Sequence, residues 1–265
     1  MRIKVVLCDI NPKMVAAWRE TFEENPEVEI VHGSMLDMQT SAWVSPTNSK
    51  GSMDGGLDAV IKNYFGGGIE KRVQAAIADQ FHGAMPVGFA TCVPTQRELP
   101  RFLISTPTMV GSSENISDTM NVALACAAAF QAVHQQHARE PNSIRSVALP
   151  GLGAATGQTP AEICADLMWT AYDLFRWRQF ADFGEMRKAL EEILGDLGPT
   201  TTKGQAKIAA GEVAGAKGWG APAPADEDYD FDDDEDFEAA PTAKAPAAAA
   251  PTDDFDDFDD EEDFD

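Results

Sequence analysis

The sequence predicts an α/β protein in which helices cover both faces of a central sheet, followed by a long acidic tail. Up to about residue 194, short apolar runs rich in β-branched residues alternate with longer segments of helical periodicity, an order typical of layered α/β folds. Two Gly-rich segments, 51–56 and 151–157, each follow a predicted strand. In such folds ligands bind beyond the carboxyl ends of the strands, so these segments are candidate walls of one site.

The first half of the chain supplies strands and helices in alternation. Residues 3–8, IKVVLC, are predicted to be a buried strand because they form a short apolar run rich in β-branched residues. Asn11 and Pro12 then begin a helix that extends to about Glu24, since Asn caps helices and Pro suits their first turn. The other elements of this half are predicted as strands at 28–32 and 42–45 and as helices at 57–64 and 70–81.

The second half continues the same alternation. Strands are predicted at 89–93, 102–106 and 146–149. A long apolar helix is predicted from Ser117 to His137, with Ser117 as its cap. Two further helices are predicted at 160–180 and 183–194.

The negative charge of the chain is concentrated at its C-terminal end. The formal net charge of the 265 residues is −24. Residues 226–265 contain 20 acidic residues and one Lys, a charge of −19, which leaves −5 for residues 1–225. The body of the protein therefore has no large basic field for duplex nucleic acid.

Cysteine spacing and hydropathy exclude several other classes of protein. The four cysteines are far apart and form no C-x-x-C pair, so neither a zinc site nor a disulfide framework is predicted. We expect free thiols in a reducing cytoplasm. No apolar stretch is long enough to span a membrane, and the N-terminal apolar run ends at Asp9, too short for a signal peptide.

Composition divides the chain into three predicted parts. Residues 1–197 form the folded domain, and residues 198–225, rich in Gly, Ala, Pro and Lys, form a flexible linker. Residues 226–265 are predicted to be a disordered acidic and aromatic tail, because they cannot bury enough apolar surface to offset the entropy of ordering. The tail is either a solubilising segment or a recruitment segment for a basic protein partner. In composition it resembles the aromatic-tipped acidic tails of single-strand DNA-binding proteins.

The stretch SPTNSKGSMDGGLD, residues 45–58, combines groups that suit a sugar ligand. The carboxamide of Asn48 both donates and accepts hydrogen bonds, as vicinal hydroxyls require. Gly55 and Gly56 let the backbone approach a ligand closely, and Asp58 is suited to orient or deprotonate a water molecule. The alternative is a simple turn in which Asp58 favours the start of a helix.

The stretch LPGLGAATGQTP, residues 149–160, suits a phosphate ligand. Successive backbone N–H groups of a Gly-rich loop can surround phosphate oxygens. No Lys follows the last glycine, which excludes a P-loop. The spacing of Gly151, Gly153 and Gly157 also differs from that of the dinucleotide-binding fingerprint.

Together these motifs resemble those of macro domains, the ADP-ribose-binding α/β/α modules. The resemblance covers residues 28–180 and rests on ordered motifs: Gly33-Ser34-Met35-Leu36, Ser45-Pro46-Thr47-Asn48, Asp54-Gly55-Gly56-Leu57-Asp58, Ile104-Ser105-Thr106-Pro107-Thr108 and Pro150 to Gly157. It implies a three-layer α/β/α fold with a mixed central sheet. It also implies binding of ADP-ribose or a related nucleotide diphosphate-ribose.

The resemblance assigns residues to this ligand by position. Asn48 and Asp58 are the implied catalytic residues, with Asn48 on the distal ribose and Asp58 activating water; no metal or cofactor is implied. The implied ligand-binding residues are Ser34, Met35, Asn48, Asp54, Gly55, Gly56, Leu57, Thr106, Gly151, Leu152, Gly153, Ala154, Ala155, Thr156 and Gly157.

The chain departs from the family pattern in three places. Ser34 stands where the family has its adenine-recognising Asp, Ser45 replaces the first Asn of the strand-end motif, and Asp54 replaces a Gly. Three functions therefore stay open at this point. The protein is a hydrolase of ADP-ribosyl derivatives or of ADP-ribose 1″-phosphate, a non-catalytic ADP-ribose-binding module, or an interaction protein that acts through its tail.

Overall fold

The computed structural model describes residues 3–195. The strands of this part are β1 (Lys4–Asp9), β2 (Val28–His32), β3 (Ala42–Ser45), β4 (Thr91–Pro94), β5 (Phe102–Ser105) and β6 (Ser146–Leu149). The α-helices are α1 (Pro12–Thr21), α2 (Gly56–Phe65), α3 (Gly68–Phe81), α4 (Asn121–Arg139), α5 (Ala161–Trp177) and α6 (Phe183–Leu194). A short 3₁₀ helix, Met35–Asp37, follows β2.

The strands form one mixed sheet in the order β2-β1-β6-β3-β5-β4. All neighbouring pairs are parallel except β4 and β5, which pair antiparallel. The predicted α/β fold with a mixed central sheet is confirmed. Because the parallel strands run in one direction, their carboxyl ends lie at the same edge of the sheet. The last residues of these strands are Asp9, His32, Ser45, Ser105 and Leu149. The loops that leave this edge build the candidate site.

Alternate residues of the strands pack into two cores, one on each face of the sheet. In β1, Val5 and Leu7 belong to the core beneath α1, α4, α5 and α6, whereas Val6 belongs to the core beneath α2 and α3. Trp43 of β3 lies in the second core and Val44 in the first. This period of two follows from the pleat of a strand, and continuous apolar runs are typical of strands that are buried on both faces. The molecule therefore has the three layers that the resemblance implied.

The longest helix begins later than predicted. Helix α4 begins at Asn121, and Ser117 lies in the preceding turn, where its N–H donates to the side chain of Asn115. Thr119 N–H donates to the carbonyl of Ile116, which closes a further turn before the helix. Local side-chain hydrogen bonds of this kind compete with helix formation, so Ser117 is not the helix cap. The carboxamide of Asn121 instead donates to the carbonyl of Thr108.

Other boundaries differ by a few residues. Helix α1 ends at Thr21 rather than Glu24, and α5 ends at Trp177 rather than at 180. Strand β4 lies at Thr91–Pro94 rather than 89–93, and the short 3₁₀ helix was not predicted. The predictions of a linker at 198–225 and of an acidic tail at 226–265 fall outside the described residues.

Candidate functional site

A cleft of about 370 Å³ opens at the carboxyl edge of the sheet. Its walls come from the end of β1, the turn after β2, the start of α2 and the loop between β6 and α5. Most of the residues predicted for the ligand line it: Ser34, Met35, Gly55, Gly56, Leu57, Asp58, Gly151, Gly153, Ala155, Thr156 and Gly157. Residues more than a hundred positions apart in the sequence thus meet in one cavity.

A second hollow, of about 620 Å³, lies between the sheet and the ends of α4 and α5. Three of its polar side chains interact with each other: Tyr172 donates to Glu27 over 2.7 Å, and Arg176 lies 3.4 Å from the same carboxylate. None of the predicted site residues lines it. We therefore place the candidate site in the smaller cleft.

Four predicted residues lie outside the cleft wall. Thr106 is buried, and its hydroxyl donates to carbonyls of Phe89 and Ala125, so this side chain belongs to the core. Leu152 is fully buried, and Ala154 packs against the larger core. Asp54 is exposed and lies 3.2 Å from the ammonium group of Lys62. The charge of Asp54 is thus paired with Lys62, outside the cleft wall.

Asn48 also lies outside the cleft wall and organises the loop after β3. Its side-chain oxygen accepts hydrogen bonds from the N–H groups of Lys50 and Ser52, at 3.0 and 3.1 Å. Its amide nitrogen donates to Ser112 over 3.0 Å. The carboxamide is thus committed to protein partners on both sides. Its role toward a ribose stays a prediction.

Asp58 projects from the first turn of α2 into the cleft, where it meets Ser45 at the end of β3. The Ser45 hydroxyl donates to the Asp58 carboxylate over 2.5 Å. Burial raises the pKa of Asp58 to about 7, and the hydrogen bond from Ser45 opposes that rise. The carboxyl group consequently changes its protonation state near neutral pH, which suits a general acid or base.

The loop between β6 and α5 presents unpaired backbone donors. Among the described residues, no group accepts a hydrogen bond from the N–H groups of 152–157. The loop keeps its shape through other bonds: Ile116 N–H donates to the carbonyl of Gly157, and Thr159 N–H donates to that of Gly153. A rigid loop with free N–H groups is a receptor for anionic oxygens.

The glycines of this loop are required by its packing. A Cβ atom on Gly157 would lie 2.6 Å from the carbonyl oxygen of Gly153 and 2.8 Å from Ile116. Gly153 also has a φ of +75°, a conformation that other residues rarely adopt. A Cβ atom on Gly151 would lie 2.8 Å from Met14. Close packing therefore explains these glycines without reference to a ligand.

The N-terminus of α2 forms the facing wall. No side chain caps this helix, whose N-cap residue is Gly55. The first N–H groups of a helix lack partners within it, and the helix dipole makes this end positive. Gly56 has a φ of +55°, so the turn into the helix depends on glycine. Two sets of backbone donors therefore border the same cleft.

Ser34 caps the short 3₁₀ helix that follows β2. Its side-chain oxygen accepts a hydrogen bond from Leu36 N–H over 3.2 Å, which leaves the hydroxyl hydrogen free to donate. Met35, the next residue, is buried and belongs to the core beneath α2 and α3. The Ser34 position predicted from the sequence thus borders the cleft but already has a local structural role.

The structure adds Asp9 to the site, a residue that the motif analysis did not single out. Its carboxylate lines the cleft and accepts from Asn11 N–H over 2.8 Å and from Gly151 N–H over 3.0 Å. A charged residue at the carboxyl end of a buried strand was the available signal. Ile10, Val60 and Met109 also line the cleft and carry no sequence signal of their own. Thr108, the last residue of the Ile104–Thr108 motif, lines it as well.

The charges of the cleft are unusual for an anion site. Asp9 and Asp58 are its ionisable carboxyl groups, and no Lys, Arg or His is among the described residues that line it. An anionic ligand would therefore be held by backbone N–H groups. Within residues 3–195 there is no group of three His, Cys, Asp or Glu residues that could hold a metal ion. No helix of this part has the length and apolar character needed to cross a bilayer.

The chain is similar to macro domains both in sequence and in fold. Residues 44–168 match the Macro domain family. An uncharacterized protein of Aquifex aeolicus is 29% identical over 148 residues, which are 54% of this chain and 78% of that protein. The macrodomain of Mycobacterium tuberculosis DarG has a TM-score of 0.46 at 21% identity, over 54% of this chain and 88% of that one. Thermosipho africanus DarTG, solved in complex with ADP-ribose, has a TM-score of 0.44 at 15% identity, over 63% of this chain and 49% of that one.

Proposed function

We propose that this protein, whose residues 44–168 match the Macro domain family, binds ADP-ribose or a related nucleotide diphosphate-ribose in the cleft at the carboxyl edge of the sheet. The observation that carries the proposal is the loop at 152–157, whose N–H groups are unpaired and which borders the same cleft as the uncapped start of α2. A diphosphate supplies the acceptors that such donors require. The binding site needs no basic side chain, because the donors and the helix dipole supply the positive potential.

We further propose that the protein hydrolyses an ADP-ribosyl derivative, with Asp58 as the general base. Asp58 would accept a proton from water as the water oxygen forms a bond to the anomeric carbon or to an ester carbonyl. The bond to the leaving group would then break, and the leaving group would depart with a proton. Support comes from the position of Asp58 in the cleft and from its pKa of about 7, close to the working pH of a general base.

A non-catalytic binding module is the second candidate, and Asn48 favours it. The carboxamide that would position the ribose already has partners in Lys50, Ser52 and Ser112. A site that does not orient the ribose would bind the nucleotide without turning it over. Recruitment of a basic protein by the acidic tail, and a cytoplasmic location, stay predictions from the sequence.

Replacement of Asp58 separates the two candidates. With an ADP-ribosyl ester or ADP-ribose 1″-phosphate as substrate, Asp58→Asn should lower kcat by roughly 100-fold or more, because general base catalysis typically contributes that much. Calorimetry should give ADP-ribose the same affinity for the variant within about threefold.

The matched control is Asp79→Asn, which makes the same substitution on the exposed face of α3, and it should keep full activity. Full turnover in Asp58→Asn would exclude the proposed base. Binding without turnover in the unmodified protein would identify the binding module instead.

A further inference from the structure

We infer that Asp9 is the residue that selects the nucleobase, and that it selects a base with an exocyclic amino group. This inference rests on the proposed function, since it assumes a nucleotide diphosphate-ribose in the cleft. Asp9 and Ser34 both lie outside the region matched to the macro domain family, which begins at residue 44. The resemblance to macro domains places base recognition at the position of Ser34, and it assigns no role to Asp9.

The order of the strands sets the direction of the ligand. Asp9 ends β1, the 151–157 loop follows β6, and Ser45 ends β3 beside Asp58; these strands are consecutive neighbours in the sheet. Adjacent strands lie about 4.8 Å apart, so roughly 10 Å separates β1 from β3. A diphosphate held at the central loop would have one end of the ligand at Asp58 and the other at Asp9. If the reacting ribose lies at Asp58, the base lies at Asp9.

Asp9 is fixed in a position that leaves acceptor capacity free. Each carboxylate oxygen accepts one backbone N–H, from Asn11 at 2.8 Å and from Gly151 at 3.0 Å. A carboxylate has about four acceptor sites, so roughly two stay available to a ligand. A carboxylate has no hydrogen-bond donor. It therefore favours an amino group, and a site built for a donor rejects an analogue that lacks it.

The surroundings of Asp9 suit an aromatic base. Ile10 follows it and is 74% exposed at the cleft, which provides an apolar surface for a ring. Ser34 is held next to Asp9, because the carbonyl of Asp9 accepts Gly33 N–H over 3.0 Å. The Ser34 hydroxyl is both donor and acceptor and is already engaged by Leu36. It discriminates between donor and acceptor groups less sharply than a carboxylate does.

The test is a comparison of two ligands with three variants of the full chain. The ligands are ADP-ribose and the analogue in which hydrogen replaces the adenine amino group, and calorimetry gives the ratio of their Kd values. We expect the unmodified protein to prefer ADP-ribose by roughly tenfold or more, since a charge-assisted hydrogen bond is lost. In Asp9→Ala the preference should fall below about threefold. Asp9→Asn keeps the shape of the side chain and should also reduce it.

The ratio distinguishes base selection from a merely structural role, because a disturbed loop would weaken both ligands equally. Thermal unfolding confirms that each variant is folded before its ratio is read. An unchanged preference in both Asp9 variants would overturn the inference. So would a loss of preference in Ser34→Ala with Asp9 intact. No binding of either ligand to the unmodified protein would instead overturn the proposed function, on which the inference depends.

Discussion

A carboxylic acid that loses its contact with water holds its proton to higher pH, and Asp58 is such a group. Two features of the site oppose this rise in the pKa of Asp58. The Ser45 hydroxyl donates to the carboxylate, and the first turn of α2 places it at the positive end of a helix. Burial is the larger effect and raises the pKa of Asp58 from 3.8 to about 7. The residue that we propose as the general base is therefore expected to destabilise the fold at neutral pH.

The pH dependence of stability tests this expectation. The folded protein binds the Asp58 proton more tightly than the unfolded chain, so stability falls as pH rises from about 4 to about 7. Asp58→Asn removes this loss while keeping the shape of the side chain. The variant should gain about 2 kcal/mol over the unmodified protein at pH 8, allowing for residual water, and almost nothing at pH 4. Urea unfolding at both pH values measures the difference. If Asp58→Asn changed the free energy of unfolding equally at pH 4 and pH 8, the raised pKa of Asp58 would be refuted.

Among the elements of the fold, the loop between β6 and α5 is held by packing against its neighbours. Ile116 lies against the glycines of the loop and also donates its N–H to Gly157. The late start of α4 is linked to this contact, because the turns at 115–120 hold Ile116 in place. The free N–H groups at 152–157 are thus fixed before any ligand binds, which reduces the entropic cost of binding.

Two glycine substitutions test whether the loop is rigid because it is packed. Gly157→Ala places a methyl group 2.6 Å from a backbone oxygen and should lower the free energy of unfolding by about 2 kcal/mol or more. Gly55→Ala is the matched control, since no atom lies within 4 Å of the added Cβ and its φ of −148° suits alanine. It should change stability by less than about 0.5 kcal/mol. Urea unfolding compares them, and equal effects would contradict the packing account.

The sequence predicts the type of nearly every described element because each carries a local signal. Strands β2, β3 and β6 match their predicted ranges, since β-branched and apolar runs end sharply at polar or Gly-rich residues. The start of α4 could not be predicted in this way. This helix is buried on all sides from Asn121 to Val133, so its apolar pattern has no polar face to mark a boundary.

At the scale of the whole molecule, the site depends on strand order, which local patterns do not encode. Strand β1 lies between β2 and β6, and this position alone brings Asp9 into the cleft. The Gly-rich loops and Asp58 were predictable because their composition is unusual. Asn48 and Thr106 fit a motif by position, yet the structure gives their side chains partners in the protein. A motif predicts the position of a residue in the chain. The hydrogen bonds of that residue in the folded protein decide which of its donors and acceptors stay available to a ligand.

We propose that the cleft binds a nucleotide diphosphate-ribose through backbone donors. The most direct measurement is calorimetric titration of ADP-ribose into the full chain, with the ligand recovered and analysed afterwards. We predict saturable binding of one ligand per chain and recovery of intact ADP-ribose, because no bond to a leaving group is present at its anomeric carbon. Absence of heat at millimolar ADP-ribose, with protein that unfolds cooperatively in the same buffer, would show that the cleft does not bind this ligand.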